Sequence, residues 1–150
     1  MRAICAAHGN RPDALIEILH AVQNRLNYVP EMAVPVIAEA LNLSRADVHG
    51  VVSFYHDFRR TAPGRHTLRL CRAEACQSMG ARKLAAHAET KLGVAFGETT
   101  PDGAVTLEAV YCLGNCALAP AGLIDGVLQG RLDEKRLDAL IGRFRKGAAA

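Results

Sequence analysis

Cys71 and Cys76, with four residues between them, and Cys112 and Cys116, with three, are the side chains whose type and spacing most clearly promise chemistry. The two thiolates of each pair are near enough in sequence to reach one metal ion. In a chain of 150 residues expected to carry no secretory segment, such pairs imply metal binding or redox chemistry rather than structural disulfides. The 35 residues between the pairs leave room for a helix and a strand that bring them together. Three chemistries compete. A [2Fe–2S] cluster takes four terminal ligands, two on each iron, and thiolate is the usual choice. Structural zinc takes four thiolates in a tetrahedron, usually with two to four residues inside the first pair. Dithiol redox catalysis uses two residues between its cysteines, a spacing that neither pair has. Spacing alone ranks them cluster, zinc, dithiol. Met79 stands where the plant-type run C-x4-C-x2-C needs a third cysteine, so a cluster here belongs to a different fold.

A cluster also needs backbone amides directed at its sulfurs, because each such hydrogen bond stabilises the added electron. Gly114 beside Cys112, and Gly80 shortly after Cys76, would let the chain approach closely. Arg72 stands next to Cys71, placed either to offset the negative charge of a four-thiolate centre or simply to be solvated. Cys5 is the odd cysteine of five and reads as a small hydrophobe outside the site. The six histidines are scattered without ligand spacing, and none is expected to bind metal.

The elements that must position the cysteines follow from periodicity. His66-Thr67-Leu68-Arg69-Leu70 alternates and runs into Cys71, and Val105 to Tyr111 is a second β-type segment ending at Cys112. Ligands gather at the carboxyl ends of strands in open α/β sheets, which is where both pairs fall. Residues 80–92 read as a helix with Leu84, Ala85, Ala88 and Leu92 on one side. Gly122 to Leu128 reads as a hairpin turning at Asp125-Gly126, and a last helix after Asp133 turns Leu137, Leu140, Ile141 and Phe144 inward. The order β, α, β, β, α is that of a thioredoxin-like layer of sheet and helices.

The first 58 residues read as helices instead. Pro12 and Asp13 suit a first turn ahead of the apolar stripe Leu15, Ile18, Leu19, Val22 and Leu26. Asn27 to Pro30 breaks it. A second helix carries Val36, Ile37, Ala40 and Leu41; Pro35 must lie in its first turn or just before, because an interior proline costs about 3 kcal/mol. Ser44 caps a third, with Asp47 three residues on and Val48, Val51, Val52 and Tyr55 facing inward. Arg59 to Gly64 is a linker. The expectation is an α+β chain: a helical domain over 1–60, then an α/β domain over 65–150 that carries the site.

Composition narrows the class. Half the chain is hydrophobic, enough for a real core, whereas aromatics make up only 5% with no Trp, so that core must be aliphatic. A net charge of +3 is too weak a bias to argue nucleic-acid binding. No apolar run approaches a membrane span, and the start lacks the apolar segment of a secretory signal, so a cytoplasmic protein is expected. No glycine-rich phosphate fingerprint appears, so a nucleotide or flavin would be bound elsewhere. A rival reading takes residues 37–49 as a helix-turn-helix in an iron–sulfur or zinc-containing DNA-binding regulator. Its recognition helix would offer Arg45 and His49 beside Asp47, poor chemistry for a phosphate-lined groove. Arg59, Arg60, Arg65, Arg69 and Arg72 form a basic run that reads either as a solvated face or as a dock for an acidic partner surface.

Cys71-x4-Cys76 and Cys112-Leu113-Gly114-Asn115-Cys116-Ala117 resemble the cysteine motif of the thioredoxin-like [2Fe–2S] ferredoxin subunits of NADH-linked oxidoreductases. Leu19-His20-Ala21-Val22-Gln23, Tyr28-Val29-Pro30-Glu31, Ile37-Ala38-Glu39-Ala40-Leu41 and Val51-Val52-Ser53-Phe54-Tyr55 match the helical part of the same family. Its members include the 24 kDa subunit of respiratory complex I, its relatives in NAD-reducing hydrogenases, and the gamma subunit of soluble NAD-dependent formate dehydrogenases. The run Cys71 to Gly80 looks most like the formate dehydrogenase branch. The resemblance implies an N-terminal helical bundle followed by a thioredoxin-like domain, with Cys71, Cys76, Cys112 and Cys116 as the cluster ligands. It implies one-electron transfer with no catalytic site on this chain alone. FMN and NAD would sit on a partner subunit and a molybdenum cofactor on a formate-oxidising one, with no nucleic acid and no membrane insertion.

Overall fold

The computed structural model describes residues 1–146, with side chains as far as Phe144, in two compact units, the first Met1–Ala62 and the second beginning at Pro63. The chain opens with a helix that its sequence pattern does not announce, α1 (Arg2–Ala7), which buries Cys5 completely. Pro12–Ala14 forms one 3-10 turn, with Pro12 in the first position where its missing N–H costs nothing. It leads into α2 (Leu15–Leu26), whose Leu15, Ile18, Leu19 and Val22 are buried as the stripe requires, whereas Leu26, at the helix end, is exposed. In α3 (Ala33–Leu41) Pro35 is the third residue, where backbone N–H groups have no intrahelical partner, so the proline is accommodated. Ser44 caps α4 (Arg45–Phe54) through a full capping box: its hydroxyl accepts the Asp47 N–H while the Asp47 carboxylate takes the Ser44 N–H. Val48 and Val52 are buried as expected, but Tyr55 is 43% exposed; it ends the helix rather than facing the core.

Gln23, the buried polar residue of α2, ties down the chain that follows α4. Its amide donates to the Asp57 carbonyl at 2.7 Å and its oxygen accepts the Arg59 N–H at 2.7 Å. Val29 N–H also reaches the Arg59 carbonyl, at 2.8 Å.

The second unit is a four-stranded mixed sheet in the order β2-β1-β3-β4, flanked by helices. β1 (His66–Cys71) lies parallel to β2 (Val105–Val110) in a register running from His66↔Val105 to Cys71↔Val110. Between them come a short helix, α5 (Glu74–Ser78), and α6 (Ala81–Leu92). β3 (Gly122–Ile124) pairs antiparallel with β1, and β4 (Val127–Gln129) with β3, across a turn in which Asp125 (φ 49°) and Gly126 (φ 82°) are both left-handed. α7 (Glu134–Lys146) closes the described chain. Leu84, Ala88 and Leu92 of α6 and Leu137, Ile141 and Phe144 of α7 share one core with Leu68, Leu70, Val105 and Leu107 of the sheet. Each fully buried leucine here, such as Leu68, Leu107 and Leu137, contributes about 2 kcal/mol relative to exposure. The architecture is α+β, and among the described residues α5 and a 3-10 turn at Cys116–Leu118 are the elements of this unit absent from the expected pattern.

Gln23→Leu should keep the shape of α2 but remove the two part-buried hydrogen bonds from its amide to the backbone of residues 57 and 59. Replacing one side of a buried hydrogen bond costs about 1–3 kcal/mol. Urea denaturation of the variant should show a loss in that range with unchanged helix content by circular dichroism.

Candidate metal centre

The four cysteines arrive at one place because β1 and β2 are parallel neighbours that end together. Cys71 is the last residue of β1, opposite Val110, the last of β2. Its N–H donates to the Ala121 carbonyl at 3.0 Å, and the Arg72 N–H to the Val110 carbonyl at 2.8 Å. Cys76 sits inside α5, whose single turn and a half folds it back toward Cys71. Cys112 follows β2 after Tyr111, with a left-handed backbone (φ 89°), and Cys116 opens a 3-10 turn, Cys116–Leu118. Such a φ at a non-glycine residue costs about 1 kcal/mol or more and marks a backbone held by its surroundings.

The pairs differ in exposure. Cys71 and Cys76 are buried, 4% and 2% exposed, among Ala73, Ala81, Val110, Leu113, Ala119 and Ala121. Cys112 and Cys116 are exposed. Their sulfurs stand 4.0 Å apart, close to the roughly 3.8 Å that a tetrahedral centre with about 2.3 Å metal–sulfur bonds imposes on two thiolates. Among the described residues no three histidine, cysteine or acidic side chains gather as around one ion. The Cys112 and Cys116 sulfurs stand together as one pair, and the Cys71 and Cys76 thiols share a hydrogen bond as the other.

Backbone donors are aimed at the sulfurs. Burial opposes ionisation of Cys71 more than anything else acting on it. Amide N–H groups of Ala73, Cys112 and Leu113, with the Cys76 thiol, outweigh that and hold it below the usual thiol range. Burial pushes Cys76 up; an N–H from Ala121 opposes this, while the Cys71 thiol and the charges of Cys71 and Cys116 reinforce it. Cys116 is raised by its hydrogen bond to Cys112 and then by the negative charge that Cys112 carries when ionised. The Gly114 N–H points at Cys112 Sγ at 3.4 Å, and Gly114 is left-handed at φ 71°. The spacing of the cysteines could not show the amides of Ala73, Leu113 and Ala121, because main-chain donors carry no side-chain signature.

Other expected roles resolve differently. The Arg72 guanidinium lies 4.9 Å from the Phe96 ring centroid. Of the basic run, Arg69 is paired with Glu108 at 2.7 Å across β1 and β2, and Arg65 donates to the Asp102 carbonyl at 3.3 Å. His66 and His87 are each held by a carboxylate, Asp125 and Asp138, at 2.8 Å.

Residues 1–145 match the family described as thioredoxin-like [2Fe–2S] ferredoxin. The chain belongs to that family. The family's cofactor is a [2Fe–2S] cluster, and four paired thiols with amides aimed at them fit it. The chain is 37% identical over 145 residues to an NADH-quinone oxidoreductase subunit of Rhizobium meliloti, covering 97% of this chain and 86% of that one. It is 41% identical over 117 residues to an NADH-quinone oxidoreductase subunit of Pseudomonas aeruginosa, covering 78% of this chain and 70% of the relative. Among solved structures, an NAD+-reducing [NiFe]-hydrogenase in the air-oxidised state superposes with a TM-score of 0.76 at 28% identity over 89% of this chain. This chain spans 23% of the length of that hydrogenase chain.

In the metal-free chain, iodoacetamide should label Cys112 and Cys116 first, with Cys5, Cys71 and Cys76 protected until denaturant is added. Peptide mass spectrometry over a time course reads this directly; equal labelling of all five would contradict the burial described.

Proposed function

We propose that the chain is the electron-transfer subunit of an NAD-linked oxidoreductase complex. In this reading Cys71 and Cys76 hold one iron of its [2Fe–2S] cluster, and Cys112 and Cys116 the other. The observation that carries it is the meeting of two cysteine pairs at the ends of β1 and β2, with the Cys112 and Leu113 amides turned onto the sulfur of Cys71. When bound, the cluster supplies a store for single electrons. The chain's own residues hold it, shield its inner half from water through Cys71 and Cys76, and leave its outer half open through Cys112 and Cys116. Tyr111, 73% exposed, and Met79, 62% exposed, stand on the segments that carry the cysteines, an apolar rim suited to cover by a partner. The labour divides between a helical domain at 1–60, which contributes no ligand, and the ferredoxin domain at 65–150.

With no phosphate-binding loop in the sequence, FMN and NAD belong to a partner subunit. The relatives that are subunits of NADH-quinone oxidoreductase support that arrangement, as does the hydrogenase, in which the matching segment is one part of a much longer chain. Within this class we infer an NAD-dependent formate dehydrogenase, converting formate and NAD+ to CO2 and NADH, with a molybdenum-containing subunit oxidising formate. What supports it is the likeness of Cys71 to Gly80 to the gamma subunits of those enzymes. The equivalent subunit of complex I or of an NAD-reducing hydrogenase is the alternative, favoured by the names of the relatives. No helix among the described residues is long and apolar enough to cross a membrane. The proposed compartment is the cytoplasm, where reduced thiols persist.

The purified chain should hold about two irons and two sulfides, with an EPR signal on reduction. Serine at any of Cys71, Cys76, Cys112 or Cys116 should diminish or alter that signal, while Cys5→Ser should leave it intact. One zinc and no colour would overturn the cluster reading. The tagged chain recovered from its own cells should bring down a flavoprotein and formate-dependent NAD+ reduction. Hydrogen-dependent or quinone-linked activity in that fraction would reassign the complex, and retention on DNA at moderate salt would revive the regulator.

A further inference from the structure

The outer cysteine pair presents a mechanical problem. Cys112 and Cys116 lie in neither strand nor α-helix, yet a metal held by two exposed thiolates needs their sulfurs kept in place. The connection between β4 and α7 supplies the restraint. The Leu118 carbonyl, at the end of the 3-10 turn that begins with Cys116, accepts the Arg131 N–H at 2.6 Å. Two residues on, the Pro120 carbonyl accepts the Leu132 N–H at 2.9 Å. Gly130 lies flat against the turn. A Cβ there would stand 2.7 Å from Leu118 Cβ, 2.9 Å from Asn115 Nδ2 and 3.0 Å from the Leu118 carbonyl oxygen, so no side chain fits without moving the turn. Arg131 itself is left-handed (φ 51°), a conformation that a non-glycine residue keeps only when its surroundings impose it.

Arg136, in the first turn of α7, imposes it. Its Nη1 donates to the Gly130 carbonyl at 3.2 Å and to the Arg131 carbonyl at 3.0 Å. The helix start is fixed in turn, because Asp133 Oδ1 accepts the Arg136 backbone N–H at 2.7 Å. One guanidinium thus joins a rigid helix to the two-residue seat on which the Cys116 turn rests.

We propose that Gly130 and Arg136 are positioning residues for the outer cysteine pair: together they seat the Cys116 turn and so set the geometry of the metal that Cys112 and Cys116 hold. The proposal rests on the cluster reading above. Outer partners that orient ligands in this way typically change metal affinity by about 10–100-fold when removed.

The test uses the full-length, cluster-loaded chain with Arg136→Gln, Arg136→Lys and Gly130→Ala, and with Arg143→Gln on the same helix as the charge control. Arg136→Gln and Gly130→Ala should change the EPR g-values and visible circular dichroism of the cluster and release iron to a chelator on the order of tenfold faster. Arg143→Gln should match the parent in all three. Arg136→Lys keeps the charge, but its ammonium ends one atom short of where Nη1 meets the two carbonyls, so it should behave as the glutamine variant. Parent-like spectra and iron release in Arg136→Gln would overturn the proposal, and so would full restoration by lysine, which would reduce the effect to charge. Should Gly130→Ala fail to fold, the Arg136 pair still decides. A parent protein without iron would overturn the cluster reading itself, an outcome distinct from unchanged variants of an iron-loaded parent.

Discussion

The two cysteine pairs come from stretches of chain 35 residues apart, and what unites them is the parallel pairing of β1 with β2. A parallel pair requires a crossover, here α5 and α6, and it brings two carboxyl ends to the same edge of the sheet. Had β2 run antiparallel, Cys112 would emerge beside His66, a strand's length from Cys71. The register makes the meeting specific: Cys71 faces Val110, so each strand releases its chain into the site at the same height. Ala121, just ahead of β3, completes the frame from the other side through its carbonyl, which takes the Cys71 N–H. Every other property of the centre is conditional on that three-strand junction.

Given the junction, the chemistry becomes a question of compensating buried negative charge. A thiolate removed from water is costly unless donors replace the lost hydration. Here the replacement is main-chain: Ala73, Cys112 and Leu113 serve Cys71, and Ala121 opposes the rise of Cys76. Arg72, the basic residue next to Cys71 in sequence, is held against Phe96. Amides are a fitting choice because their dipoles are fixed by the fold and need no reorganisation when an electron arrives.

Much of this was legible in the sequence, for physical reasons that also explain the remainder. Strand alternation located β1 and β2, and the cysteines at or just beyond their ends marked the candidate site. The Asp125-Gly126 turn and the capping box at Ser44 are local signals that tertiary structure had no reason to override. α1 and α5 went unseen because six and five residues hold too little periodicity to register. Tyr55 continued the helical stripe in one dimension, yet it stands one residue past the helix end, where the backbone has turned extended. Within the basic run, Arg69 is taken up by a cross-strand carboxylate, Glu108, a pairing that only the register of β1 and β2 reveals. The amide donors could not be found by residue type at all, since every residue but proline carries one.

The centre must satisfy two demands that conflict. An electron can leave only if part of the metal site lies near the surface, so some ligands must be exposed. Exposed loops are also where proteins are least rigid, and a one-electron centre changes its charge without tolerating large movement of its ligands. The chain divides the demands between its two pairs. The inner pair is rigid because a strand end and a short helix bury it. The outer pair is accessible, and its order is borrowed: Gly130, the Arg131 backbone and the Arg136 guanidinium extend the stiffness of α7 to the Cys116 turn. On this view the C-terminal helix does more than cover the sheet. It contributes Leu137, Ile141 and Phe144 to the core, and with Arg136, on its first turn, it holds Gly130 and Arg131, against which the Cys116 turn rests. The same helix therefore couples the packing of the domain to the geometry of a site to which it contributes no ligand.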